Sequence, residues 1–142
     1  MKTLIYRTTI FLLFLVSLGP RLTNAQPGFA VDFKVSSSFS AGNATFPAGS
    51  YTARQQQDDL GIVAISSADG QHTAFVACEP LDATSPVTKT ELTFHKYGDS
   101  LFPKQIWISG NPSGLYLVGG PQEKQARKTG KPTKVSVPAT AK

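Results

Sequence analysis

The chain is poor in the residues that build covalent and metal frameworks. Cys78 is its one cysteine in 142 residues, which excludes an internal disulfide. The histidines are His72 and His95. His72 and Cys78 fall on one face of an expected strand but lie about 20 Å apart at the usual rise. No pair of these residues has the close spacing of a structural zinc site. The sequence therefore predicts no metal and no cofactor. It holds no nucleotide-binding motif, no catalytic motif and no internal repeat. It also lacks a run long enough to cross a bilayer, because Thr8 to Gly19 offers only about a dozen apolar positions against the roughly 20 required.

That short apolar run has another meaning. Lys2 and Arg7 precede it, Pro20 breaks it, and Thr23 and Ala25 follow as small residues. Basic, apolar, breaker and small residue in that order form a secretory signal peptide. Cleavage is expected after Ala25, with no transmembrane segment left. No cysteine follows the run, so a lipid anchor on a mature N-terminal cysteine is excluded. The expected compartment is periplasmic or extracellular, and the three expected regions are 1–25, 26–122 and 123–142. A domain of this size needs neither metal nor disulfide to bury an adequate core.

The formal charge of +5 is unevenly spread. Residues 26–122 hold five Lys/Arg against eight Asp/Glu, whereas residues 123–142 hold six against one. An acidic body argues against nucleic acid as the partner of the whole domain. The basic segment suits weak contact with an anionic surface, or simple solvation.

Period-two patterning dominates the rest. Phe29, Val31, Phe33 and Val35 alternate with smaller or polar residues, as a strand with one dry face requires. Tyr51 to Gln56 is polar enough for an edge strand. Leu60 to Ile65 is apolar on both parities, which predicts cover on both faces. His72 to Glu79, Glu91 to Tyr97, Phe102 to Ser109 and Leu115 to Val118 complete the strands. Ala41 to Ala44, Ser67 to Gly70 (with its Asp-Gly pair), Tyr97 to Ser100 and Gly110 to Gly114 are turn signals. Pro80 to Lys89 is a longer connection that crosses between sheets. The expected fold is all-β, one antiparallel sandwich or small barrel of six to seven strands. Pro121 suits the first position of a short helix through Arg127. Beyond it, the polar and basic residues up to Lys142 are expected to be disordered.

Phe46-Pro47-Ala48-Gly49-Ser50-Tyr51, then Phe94-His95-Lys96-Tyr97-Gly98-Asp99, then Ile106-Trp107-Ile108 form an ordered set. In this the sequence resembles a group of small secreted proteins of acidobacterial type, over residues 29–128. Members usually carry F-x-x-G and L-P-A-G-x-Y early and R-Y-G-D and W later. Here Phe46 replaces the usual Leu and Lys96 the usual Arg. The resemblance implies secretion and carries no assigned activity.

Four residues are candidates for a ligand site. Tyr97 and Asp99 flank Gly98 in what is either a binding corner or an ordinary β-turn. Trp107 stands between Ile106 and Ile108. Its neighbours favour a core position, and its alternative role is a stacking shelf for a sugar or other ring. His95 is the one candidate general base, with Ser100 or Ser109 as nucleophile. It shares its strand face with Glu91, Thr93 and Tyr97, opposite Leu92 and Phe94, and is expected to be partly wet. Cys78 sits in an apolar strand and is expected to be a hidden thiol. Asn43-Ala44-Thr45 fits the glycosylation pattern, which matters only in a eukaryotic route. The function expected is an exported, non-enzymatic β module with a binding or structural role. Its rivals are a small hydrolase using His95 and a carrier with a ligand cavity between sheets.

Overall fold

The computed structural model describes residues 28–142. The signal segment and its cleavage point at Ala25 lie outside the described residues. Ten strands and one helix follow in the order β1 (Ala30–Val35), β2 (Phe39–Ala41), β3 (Ala44–Phe46), β4 (Gly49–Gln55), β5 (Ile62–Ser67), β6 (Thr73–Asp82), β7 (Glu91–Tyr97), β8 (Ser100–Trp107), β9 (Ser113–Leu117), α1 (Pro121–Arg127) and β10 (Thr133–Ala141). Eight of the strands close into an antiparallel barrel in the order β1-β10-β7-β8-β9-β6-β5-β4, and β2 and β3 form a separate hairpin.

The all-β antiparallel expectation holds, as a barrel rather than a sandwich, and with eight strands rather than six or seven. Two long strands account for the closure. Thr73–Ala77 of β6 pair with β5, and Cys78–Asp82 pair with β9. Thr133–Pro138 of β10 pair with β7, and Ala139–Ala141 pair with β1. Each strand thus serves both halves of the barrel. Closure removes the free edges of the barrel sheet, so β4 is not an edge strand: it lies between β1 and β5.

The expected disordered tail is the largest correction. Val135, Val137 and Ala139 alternate with exposed Lys134, Ser136, Pro138 and Thr140, and their small side chains pack against the core. Three modest apolar residues gave too weak a period to read beside the basic charge. Lys142 fastens the end of β10, with its amide donating to Ala30 O at 2.9 Å and its Nζ 3.2 Å from Asp32 Oδ2.

The interior is filled by the inward rows of all these strands. Val31, Val63, Ile65, Leu92, Phe94, Ile106 and Leu117 are almost fully buried. The β2–β3 hairpin, joined through Gly42 with φ of 59°, adds Phe39 and Phe46, whose rings stack at 5.0 Å. Phe39 meets Tyr51 and Phe94 edge-on at 5.0 and 5.6 Å, the arrangement that ring quadrupoles favour. The Tyr51 hydroxyl donates to Pro47 O, which ties the turn before β4 to that strand. β8 pairs with β9 only at Gln105 and Ile106, and β2 lies against β8 and β6.

Other readings divide. The turns at Gly70 and Gly98, with φ of 73° and 59°, stand where the sequence places them. Cys78 is buried, and its thiol donates to Leu60 O at 3.3 Å. Burial, with Asp59 adding, pushes that thiol up from its ordinary value. The run from Leu60 to Ile65 is not covered on both faces. Val63 and Ile65 point inward, and Leu60 is 61% exposed. Its outward Ala64 is merely screened by Arg54 and Phe75 on the flanking strands. The longer connection is also shorter than expected, because Pro80, Leu81 and Asp82 still belong to β6.

Deleting residues 129–142 removes β10 and reopens β1 and β7. A thermal melt followed by circular dichroism should show a fall of well over about 4 °C, the shift that roughly 1 kcal/mol produces in a domain of this size. An unchanged melting temperature would mean that β10 adds nothing to the stable barrel.

Candidate functional site

The outer face of β7 and β8 carries most of the candidate residues. The two strands pair with Thr93 opposite Gln105 and Phe94 opposite Pro103, so Lys104 is an extra residue without a partner across the ladder. This is a β-bulge, which re-aims the side chain that it displaces. Pro103 helps to place it, having no N–H to give to the ladder.

Lys104 is 1% exposed. Its Nζ lies 2.7 Å from Glu123 Oε2, and Glu123 is equally buried on α1. Burying two charges is costly unless they are paired. Here the same ammonium also donates to Leu117 O at 3.4 Å and stands 5.1 Å from the centre of the Tyr116 ring. The contact is chiefly ionic, because neither Glu123 oxygen accepts a hydrogen bond of good geometry. The glycines before the helix make the approach possible. A Cβ on Gly119 would fall 1.9 Å from Glu123 Oε2, and one on Gly120 would fall 2.7 Å from Gly42 O. Pro121 opens the helix as the sequence predicts.

His95 and Tyr97 come together beside α1. Their rings are 6.3 Å apart, and Tyr97 also meets Phe102 edge-on at 6.0 Å. His95 has a one-third exposed side chain, with Nδ1 3.8 Å from Glu123 Oε1. That nitrogen is buried and makes no hydrogen bond. Burial, then the positive charges of Lys104, Arg127 and Lys134, hold the ring below its ordinary value of 6.5 against the opposing pull of Glu123. The imidazole is therefore neutral at neutral pH. Arg127 approaches Glu123 Oε1 at 3.9 Å from the next turn of the helix. The two-faced reading of β7 is right, although Thr93, between Ser136 and Gln105 on the flanking strands, is only 1% exposed.

Asp99 stands apart at the exposed tip of the β7–β8 turn. Tyr97 is 6% exposed and packed, so Tyr97-Gly98-Asp99 serves as a turn. Ser109, one of the two expected nucleophiles, is engaged elsewhere, its Oγ donating to Thr88 O at 3.1 Å.

Trp107 departs from its expected core position. It pairs with Glu91 across the ladder and points outward, partly buried, on the outer face that it shares with Gln105. Its ring lies over Gly114, where a Cβ would meet Trp107 Cε3 at 2.6 Å. Its Nε1 donates to Gln105 Oε1 at 3.2 Å. The ring forms part of the wall of an open groove of about 420 Å³ that also includes Asp82, Ser85, Lys89, Glu91 and Gln105. The segment 83–90 over this groove is held at both ends. Ala83 N donates to Pro112 O at 2.9 Å, Gly110 N to Val87 O at 2.9 Å, and Ser109 N to Thr90 Oγ1 at 3.0 Å.

The sequence reading missed Lys104, Glu123 and Gln105. A proline followed by lysine inside an apolar run was the available sign of a bulge. Nothing local pairs Lys104 with a glutamate on another element. Among the described residues, no three His, Cys, Asp or Glu side chains gather to hold a metal ion, and no helix is long and apolar enough to cross a membrane. Comparison with protein-family models, curated proteins and solved structures gives no match.

Glu123→Gln keeps the shape of the contact and strands a buried cation. Urea denaturation should show a loss of about 3–5 kcal/mol, and Lys104→Met combined with Glu123→Leu should recover most of it. Additive losses in the double variant would refute the coupling. His95 gives a separate pH signature. Its folded value lies below 6.5, so the unfolded chain protonates first as pH falls. The His95 contribution is fully present above 6.5 and is lost below it. His95→Asn should flatten the stability profile in that range, and an unchanged slope would count against a depressed imidazole.

Proposed function

We propose that this chain is an exported, non-enzymatic binding module whose ligand is a sugar-like ring seated on Trp107. The observation that carries the reading is the Trp107 ring itself, outward-facing, fixed over Gly114 and set in an open groove lined by both polar and apolar side chains. A flat indole takes the apolar face of a saccharide ring, and the surrounding amide, hydroxyl and carboxylate groups take its hydroxyls. Gln105, Ser85, Asp82 and Glu91 provide those groups. The pinned ends of segment 83–90 keep the groove formed before a ligand arrives, which lowers the entropy lost on binding. The signal-like start of the sequence and its resemblance to small secreted proteins favour export.

The rival readings have less support. A hydrolase needs His95 within hydrogen-bond reach of a nucleophile, and its Nδ1 instead faces Glu123 without a hydrogen bond. A carrier needs space inside the barrel, where Phe33, Phe39, Phe46, Tyr51 and Phe94 are packed against one another.

Trp107 is the one tryptophan, so its fluorescence reports on the groove directly. Titration with neutral oligosaccharides should change that emission. Trp107→Ala should weaken binding by about tenfold or more, the value of a lost aromatic contact. The same variant should stay folded, with a melting shift under about 4 °C. A Trp107→Ala protein that unfolds would return the residue to a structural role.

A further inference from the structure

The outer face of β7 is chemically different at its two ends. Glu91, beside Trp107, and His95, beside Lys134, lie on the same face. They are four positions apart, about 13 Å at the strand rise. At the Trp107 end the charged groups include two carboxylates, Asp82 and Glu91, with Lys89. At the His95 end, Lys134 of β10 pairs beside His95 and Arg127 of α1 approaches Glu123, while Lys124 and Lys128 at α1 and Lys131 in the link to β10 are exposed. Of these five, Arg127 alone has a carboxylate within 4.0 Å among the described residues. That carboxylate is already held by Lys104. The basic segment is thus folded onto a defined face and is short of counter-charge. The exposed large apolar side chains are Leu60, Phe75 and Val118, none of them on α1, β7, β8 or β10. The face has nothing to insert into a bilayer, which favours a hydrated polyanion over a lipid surface.

Resting on the glycan reading of the Trp107 groove, we propose that the ligand is an acidic heteroglycan. It stacks an uncharged sugar on Trp107 and lays anionic units across the α1–β10 cations. The Asp82 and Glu91 carboxylates disfavour an acid group directly over the indole, so a chain charged at every unit fits less well than one that alternates.

The test uses the wild type, Trp107→Ala and the double variant Lys131→Glu with Lys134→Glu, each checked for folding by circular dichroism. Probes are a neutral cello-oligosaccharide, a hyaluronan fragment (alternating uronate and neutral amino sugar), a chondroitin sulfate fragment, polygalacturonate, and phosphatidylglycerol vesicles. The wild type should bind one or both alternating acidic fragments about tenfold more tightly than the neutral probe, as several exposed charge contacts together provide. A preference between those two fragments separates carboxylate from sulfate as the anionic group. The charge-reversed variant should lose that margin, keep its neutral binding and show a weaker salt dependence. Trp107→Ala should lose both. Equal affinity for neutral and acidic chains, unaltered by charge reversal, overturns the acidic ligand and leaves the glycan reading intact. Tightest binding to polygalacturonate overturns the alternating pattern. No binding to any saccharide overturns both readings, and vesicle binding in that case would assign the cations to a lipid surface.

Discussion

Lys104 and Glu123 meet at 2.7 Å with almost no access to water. Neither charge is stable there alone, so the pair behaves as a clasp that is either closed or absent. It holds α1 against the outside of β7 and β8, and α1 carries the chain from β9 back across the barrel. The helix leads into β10, whose own ladders to β7 and β1 close the seam. The close packing at Gly119 and Gly120 belongs to the same device, since a side chain at Gly119 would displace the Glu123 carboxylate and one at Gly120 would press on the backbone of Gly42.

The inward rows of the barrel were legible because alternation is a local property. Val31, Phe33 and Val35 announce their face without reference to any other strand, and so do Leu92 and Phe94. Turn chemistry is equally local, and Gly70 and Gly98 adopt the conformation that their Asp-Gly and Gly-Asp settings suggest. What the sequence hid depends on partners far along the chain. Val135, Val137 and Ala139 are weak hydrophobes whose strand forms only because β7 and β1 present two edges to fill. Trp107 was misplaced because its neighbours Ile106 and Ile108 are apolar, whereas in β8 Ile106 takes the inward position and Trp107 shares the outer face with Gln105. Pro103, inside the expected strand Phe102 to Ser109, was the available register mark for the bulge at Lys104.

The candidate site was legible in its residues and illegible in its arrangement. His95, Tyr97, Asp99 and Trp107 were all noticed, yet they do not form one cluster. His95 and Tyr97 belong with the clasp, Asp99 with a hairpin tip, and Trp107 with the groove beneath segment 83–90. The division follows from strand geometry, since neighbours on one face four residues apart are too distant to touch. The basic segment changes meaning in the same way. As a tail it would be a diffuse charge; as α1 and β10 it is an oriented surface beside the groove.

The pairing of the earliest barrel strand with the latest has a kinetic side. A chain that emerges progressively can form the β4–β5–β6 and β7–β8–β9 meanders as they appear. It cannot seal β1 until Thr133 to Ala141 are free. During that interval β1 and β7 offer unpaired backbone, the condition under which neighbouring chains add strands to one another. Closure between sequence-distant strands is also slow, since the loop entropy is lost before the contacts form.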